Sequence, residues 1–404
     1  MAQQQSGSSQ FAGQTFLGRI NTATNATNNR DLYLKLFSGE MFTGFQRETI
    51  ARDLVMKRTL TNGKSLQFIY TGRTEAEYHT PGNSILGNSA KTPPIAEKTI
   101  TVDDLLISSA FVYELDETLA HYELRGEISK KIGYALAQKY DRLIFRAIAK
   151  GARQASAVKI GSNTFEEPGG TQIQVGGGSD ANDALVASHL INAFYDAAAA
   201  MDEKGVSGDG RVAVLNPRQY YALIQAAAAG GASGLINHNE RGDALQSGNG
   251  IVEIAGITIY KSMNAPFLSK YGTAYKPSSG NNDTLHTNVI DPGNTGNFVS
   301  EPIETGTPVS GDNYGARNNY GASNAFNNSC GLIFQREAAG VVETIGPQVQ
   351  VTSGDVSVVY QGDVILGRLA MGADFVNPAA CVELFAGTTT KPAAFGTTYP
   401  ANVS

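Results

Sequence analysis

The strongest regularity in the chain is a four-residue spacing of large apolar side chains. Ile128, Ile132, Leu136, Tyr140, Ile144 and Ile148 follow at that interval, and Leu119, Tyr122, Ala135 and Leu143 widen the stripe. This periodicity predicts a helix from Asp116 to about Gln154. At ~1.5 Å per residue such a helix is a rod of roughly 50 Å. Lys130, Lys131, Lys139, Arg142 and Arg146 fall on what would be its wetter side. An Ala-rich helix is predicted over Ala184 to Lys204, and a third helix follows the capping pair Asn216-Pro217 through Ala229. Arg211-Val-Ala-Val-Leu215 between them is a strand of the buried type.

Elsewhere the apolar period shortens towards two. Leu54-Val-Met56 and Leu66-Gln-Phe-Ile-Tyr70 flank Asn62-Gly63, a two-residue turn signal that predicts a β-hairpin with a basic tip. A larger hairpin is read from Leu54 to about Ile107, loop-like from Tyr78 to Pro94, with its return strand at Glu97 to Val102. Val252 to Tyr260 reads as a strand interrupted by Gly256. Val341 to Ile345, Val349 to Thr352, Val356 to Tyr360 and Val364 to Leu366 predict strands that pack on the long helix. Residues 1 to about 30 are polar and read as a mobile arm, and a short capped helix follows Asp31. The glycine-rich Ser156 to Ser179 stretch marks a boundary, Ser269 to Asn328 has almost no period and reads as a surface elaboration, and Ala386 to Ser404 is tail-like. The sum is an α+β chain.

Charge narrows the function. Charged residues make up 17% of the 404, below the usual ~25%, and the net charge is -6. That balance argues against a dedicated nucleic-acid binder, whose affinity comes from clustered Lys and Arg. Two cysteines, Cys330 and Cys381, are too few for a disulfide framework and lack metal-site spacing. The first residues lack the basic and apolar regions of a signal peptide, and there is no apolar run of about 18 residues, so the chain reads as neither exported by that route nor membrane-spanning.

Candidate chemistry is sparse. Gly63-Lys64-Ser65 matches the tail of a phosphate-binding loop, but Arg58 stands where the loop needs its first glycine. His79, His121, His189, His238 and His286 have no helical metal spacing. Adjacent Asp103 and Asp104 would point to opposite faces of a strand. Arg241-Gly-Asp243 matches an adhesion tripeptide by coincidence.

Several motifs together resemble the major capsid proteins of T-seven-type short-tailed phages. They are Gly63-Lys-Ser-x-Gln-Phe with Gly72-Arg-Thr, His121-Tyr-x-x-Arg-x-Glu with Gly133-x-x-Leu-Ala, and Arg211-Val-x-x-x-Asn-Pro-x-x-Tyr. Gln361-x-Asp-x-Ile, Ala370-Met-Gly and Pro378-x-Ala extend the resemblance, which runs from about Asp31 to Leu384. It implies the HK-ninety-seven capsid fold. The parts are then an N-terminal arm (1–53), an extended E-loop hairpin (54–108), and a peripheral domain with a spine helix (109–179). An axial domain (180–334) carrying the 269–328 insertion, a peripheral sheet (335–385) and a C-terminal tail (386–404) complete it. The insertion, longer than expected for the family, and the glycine-rich stretch before Asp180 are departures from that pattern.

The resemblance implies a structural protein of the virion, not an enzyme, that needs no cofactor or metal. Its partners would be copies of itself in hexamers and pentamers, a scaffolding protein, a portal at one vertex, and a decoration or cement protein. Contact with packaged DNA would be non-specific, and no membrane is involved. Arg58, Lys64, Gln67 and Arg73 on the hairpin and Lys130 and Arg142 on the helix are the implied inter-subunit contacts. Lys64 with Asn377 and Glu383 superficially suits the covalent cross-link of some relatives, which the resembled group is not expected to make. Alternative readings are the shell of a cellular nanocompartment and a hydrolase hidden in the α+β region.

Overall fold

The apolar runs become strands, which pair into a four-stranded and a six-stranded sheet and two smaller ribbons. The computed structural model describes residues 50–71, 76, 78–83, 95–102, 105–113, 124–154, 158–159, 166–228, 252–266, 328–351 and 361–394. The strands are β1 (Met56–Thr59), β2 (Ser65–Thr71), β3 (Ile95–Thr101), β4 (Leu106–Tyr113), β5 (Val158–Lys159), β6 (Glu166–Glu167) and β7 (Thr171–Gln174). They continue with β8 (Arg211–Leu215), β9 (Val252–Ile254), β10 (Ile257–Lys261), β11 (Ser329–Gln335), β12 (Ala339–Val351), β13 (Gly362–Phe375) and β14 (Cys381–Phe385). The α-helices are α1 (Ala51–Leu54), α2 (Leu124–Ala152), α3 (Ala187–Glu203) and α4 (Pro217–Ala228).

The described residues form two units. One holds those within Leu105–Ala137 and Ile345–Ala370, the other those within Arg47–Asp104, Gln138–Thr344 and Met371–Ser404.

In the second unit a six-stranded sheet has the order β7-β14-β11-β8-β10-β9. β8 is buried at every position: Val212 to Leu215 are apolar, and the buried Arg211 pairs with Asp202 at 2.6 Å. Leu190, Phe194, Ala197 and Met201 of α3, with Leu223 of α4, join Ile257, Ile259, Ile333, Val382 and Leu384 of the sheet in one apolar core. Asn216 accepts the Arg218 backbone N–H at 3.2 Å, the cap expected from Asn216-Pro217. Val252 to Tyr260 is a hairpin, not one interrupted strand: β9 and β10 are antiparallel, and Ala255 and Gly256 both have positive φ, 54° and 73°. That pair of left-handed residues is the tight turn whose twist matches the strands, and glycine makes its second position cheap. The sheet also takes β7 and β14 from outside the 180–334 segment expected for the axial domain.

The same unit contains the root of the hairpin, and here one expectation is corrected. The chain bends at Asn62-Gly63, but the flanking strands do not pair with each other. β1 runs parallel to β12, Met56 opposite Gly340 through Thr59 opposite Glu343. β2 pairs instead with β3, antiparallel, Ser65 opposite Thr101 through Thr71 opposite Ile95. Pairing over the full seven residues of β2 outweighs the local turn preference, so Lys64 lies at the base of a long ribbon and not at a tip.

In the first unit β4 and β13 are antiparallel, from Gly362 opposite Tyr113 to Leu369 opposite Leu106. Val112, Ile132, Leu136 and Ile365 make its core, with Ile128 packed against it. At Gly367 any Cβ would collide with Ile132 and Leu136, so glycine permits the helix to lie this close to the sheet.

α2 is 29 residues long; the expected residues 116–123 before it are outside the described set. Its four-residue ridge is buried from Ile132 through Ile148 as predicted. Ala135 is exposed, against expectation. The larger correction concerns the basic side: Arg142 is only 1% exposed and Arg146 9%. Every residue from Tyr140 to Ala149 is buried, and a helix enclosed all round has no wet side.

Candidate assembly surface and the ionic clamps at its root

The ribbon β2–β3 has two unlike faces because successive side chains alternate. Phe68, Lys98 and Ile100 point inward, and Phe68 and Ile100 join Val342 and Val376 in a small core. Ser65, Gln67, Ile69 and Thr71, with their partners Thr101, Thr99, Glu97 and Ile95, form a wholly exposed face. On it Ile69 is 74% and Ile95 67% exposed, and the two are diagonal neighbours in the register. An apolar pair on an otherwise polar, two-stranded ribbon is a surface suited to contact.

Three buried polar centres and a half-buried one lie in the same unit. Glu343, near the start of β12, takes Arg52 Nε and Nη2 at 3.2 Å each, Lys57 Nζ at 2.7 Å and Tyr140 Oη at 2.6 Å. Burial alone would raise the Glu343 carboxyl; the bonds from Lys57, Tyr140 and Arg52 outweigh it and hold the group below its ordinary value. The Tyr140 hydroxyl is pushed up by burial and by its bond to Glu343. Lys98 of β3 and Lys150 of α2 share the Asp374 carboxylate, each at 3.2 Å, with Lys98 Nζ 4.2 Å from the Phe375 ring centroid. Burial lowers the Lys98 ammonium, Asp374 opposes that and Lys150 adds to it.

Arg153, just past α2, forks onto Glu383 of β14 at 2.7 and 2.6 Å, with both side chains buried. Its Nη2 also donates to Ser329, and its Nη1 donates to the Ala393 carbonyl at 3.0 Å. Gln172 donates to Glu383 and to the Pro392 carbonyl. The fourth centre, Asp141, accepts the backbone N–H groups of Ile50 and Ala51 and the Asn264 amide, all at 3.1 Å.

The predicted contact residues separate. Arg58, Lys64 and Gln67 are exposed, and the Arg58 guanidinium lies 4.8 Å over the Phe68 ring. Lys64 accepts the Val102 N–H through its carbonyl, which closes the ribbon base. Lys130 is exposed and pairs within the helix with Glu127 at 3.4 Å. Arg142 is enclosed and cannot offer its guanidinium to a neighbouring subunit from that position. Arg73 lies outside the described residues, as do residues 1–49 of the arm, Asp103-Asp104, Arg241-Gly-Asp243 and all of the 269–328 segment but Asn328. Asn377 caps the Ala379 N–H, and Glu383 is bound to Arg153, so neither is set out for a cross-link.

Among the described residues there is no cluster of three His, Cys, Asp or Glu able to hold a metal ion. His79 is exposed, His189 sits 3.2 Å from Asp183, and the other three histidines lie outside the described residues. Cys330 and Cys381 are buried free thiols whose ionisation burial pushes far up. No described helix is long and apolar enough to cross a membrane.

The fold is that of tailed-phage capsid proteins, of the HK-ninety-seven type. The solved capsid of cyanophage P-SCSP1u matches over 92% of this chain and 97% of its own, at 28% identity and a TM-score of 0.63. The mature capsid of bacteriophage PhiM1 matches over 95% and 100% at 14% identity and a TM-score of 0.56, a likeness of fold. The chain belongs to the Gp10A-like major capsid protein family, whose model matches residues 67–302. It is 31% identical over 197 residues to the major capsid protein of Escherichia phage T7, covering 48% of this chain and 56% of that one. With the major capsid protein of Enterobacteria phage T3 the identity is 33% over 146 residues, 36% of this chain and 39% of that one. The chain thus spans about half the length of the curated relatives it matches. The family is one of structural proteins, not enzymes.

Proposed function

We propose that this chain is the building unit of an icosahedral head shell around double-stranded phage DNA, assembled as hexamers and pentamers. The observation that carries the reading is the near end-to-end likeness to the cyanophage capsid chain. The exposed ribbon face is the contact surface: Ile69 and Ile95 supply apolar area, and Arg58, Lys64 and Gln67 orient it. Lys130 is a second contact group. Many modest contacts repeated over a closed lattice supply the stability that no single one provides. A scaffolding protein guides closure, a portal occupies one vertex, and a cement protein is a further partner. The net charge of -6 suits an inner wall along which DNA slides, since a basic wall would hold it. The 269–328 segment is an outward-facing elaboration, which limited proteolysis of intact particles tests: full protection of that segment would rule it out.

Electron microscopy and sedimentation of the protein alone and with a candidate scaffold test the whole reading. Rings, tubes or closed shells are expected in at least one sample, and a monodisperse monomer or dimer in both would overturn it. Ile69→Asp with Ile95→Asp is expected to leave the folded chain intact and abolish those assemblies.

A further inference from the structure

The segment that follows β14 is tied back onto the end of α2. Ala386 N–H donates to the Asn328 carbonyl at 2.9 Å, and Gly387 then turns the chain with a φ of 77°. Two consecutive carbonyls beyond the turn are held by side chains: Pro392 accepts from Gln172 Nε2 and Ala393 from Arg153 Nη1, each at 3.0 Å. Residues 387–394, Gly-Thr-Thr-Thr-Lys-Pro-Ala-Ala, belong to no helix or strand, and none of them is buried. The Arg153 and Glu383 side chains that they reach are 1% and 0% exposed. A thin polar segment thus lies against an ion pair that is sealed from water.

We propose that residues 387–394 are a latch over the Arg153–Glu383 pair: closed, the segment keeps water and salt from the pair, and open, it turns the pair into a solvated one while the sheet core stays folded. With no buried side chain of its own, the segment gains little from apolar area. What closes it is the pair of carbonyl bonds, one of them to a cation. What closing returns is felt at the ion pair. A buried arginine and carboxylate are tolerated only while their remaining hydrogen-bonding groups are satisfied, and the Ala393 carbonyl serves Nη1 while Glu383 and Ser329 serve Nε and Nη2. The sealed pair and the closed segment therefore favour each other.

A second observation sets the latch apart from a fixed part of the core. Lys391 is the one charged residue in the segment, and it faces a like charge. The Lys204 ammonium, held by the Gly169 and Gly170 carbonyls at 2.7 and 3.0 Å, is lowered by burial; Cys381 opposes that and Lys391 adds to it. That repulsion presses the segment open, against the two carbonyl bonds. This inference stands whether or not the chain forms shells.

Chemical denaturation of full-length variants at low and high sodium chloride tests it. Gly387→Val places a β-branched residue at a positive φ, which works against the turn and favours the open segment. It is expected to lower the folding constant roughly tenfold at low salt, the worth of a bond to a charged group. The loss should widen at high salt, because the opened pair is screened and the sealed one is not. In a background of Arg153→Met with Glu383→Leu, Gly387→Val should cost little and its salt dependence should vanish, since no charge is left to seal. An equal cost of Gly387→Val in both backgrounds, or a loss that salt leaves unchanged, would overturn the proposal. Should Gly387→Val fail to fold, Gln172→Leu decides: it frees the Pro392 carbonyl without touching the turn and should show the same salt-widened loss, and a loss indifferent to salt would overturn the latch.

Discussion

The core of the six-stranded sheet and the root of the ribbon lie in one unit and are held by different physics. The sheet core is built from Leu, Ile, Val, Phe and Ala side chains of α3, α4 and six strands. Its stability follows buried area, which is non-directional, so no single contact decides the arrangement. At the ribbon root the apolar cluster shrinks to Phe68, Ile100, Val342 and Val376, and Glu343 and Asp374 do much of the joining, while Glu383 on β14 and Asp141 on α2 form buried polar joints elsewhere in the unit. Such bonds are directional and each has one partner set, so the root is fixed by specific pairs where the sheet core is fixed by close packing.

Substitutions distinguish the two regions. The largest effect is expected at Glu383→Ala, which leaves the buried Arg153 charge without its fork and should cost about 3–5 kcal/mol in chemical denaturation. Arg153→Met with Glu383→Leu together should cost less than Glu383→Ala alone; an equal or greater loss would mean that the network is worth more than its charges. Leu190→Ala in the apolar core should cost about 2–4 kcal/mol through lost area and a cavity. Glu343→Gln should cost about 1–3 kcal/mol near pH 7, because three donors lose a charged acceptor.

The pH dependence sharpens the point. The folded Glu343 carboxyl lies below its ordinary value of 4.5, so its contribution is complete above that value and is lost as pH falls through the depressed one. Glu343→Gln should therefore show a shallower loss of denaturation midpoint on acidification than the parent. The smallest effect belongs to Lys98→Met. Lys150 still neutralises Asp374, and the buried ammonium is itself costly, so the change should stay within about 1 kcal/mol in either direction.

The elements were legible in the sequence where one period ran unbroken. Ile132 through Ile148 located α2, and Arg211 to Leu215 located β8. Pairing was less legible. Asn62-Gly63 is a strong local turn signal, yet the partner of β1 is β12, nearly three hundred residues away, and nothing between Met56 and Thr59 encodes that register. The buried arginines are illegible for a related reason: Arg142 and Arg146 look solvated when only their own helix is considered, and it is the tertiary fold that buries them. Glu343 within Val-Val-Glu and Glu383 within Cys-Val-Glu-Leu-Phe did carry a signal. A lone acid in an apolar strand announces a partner, but Tyr140 and Arg153, 203 and 230 residues distant, could not be named from it. The capsid motifs identified the family without revealing these clamps.

The sealed thiols have a practical consequence. Cys330 and Cys381 are the chain's entire complement of sulfhydryls, and both are buried and held in the unreactive protonated form. A cysteine installed at Gln67 or another open position of the ribbon would then be the one site a maleimide could reach on the folded protein. Dyes, peptides or spin labels could be attached there stoichiometrically, with no background to engineer away.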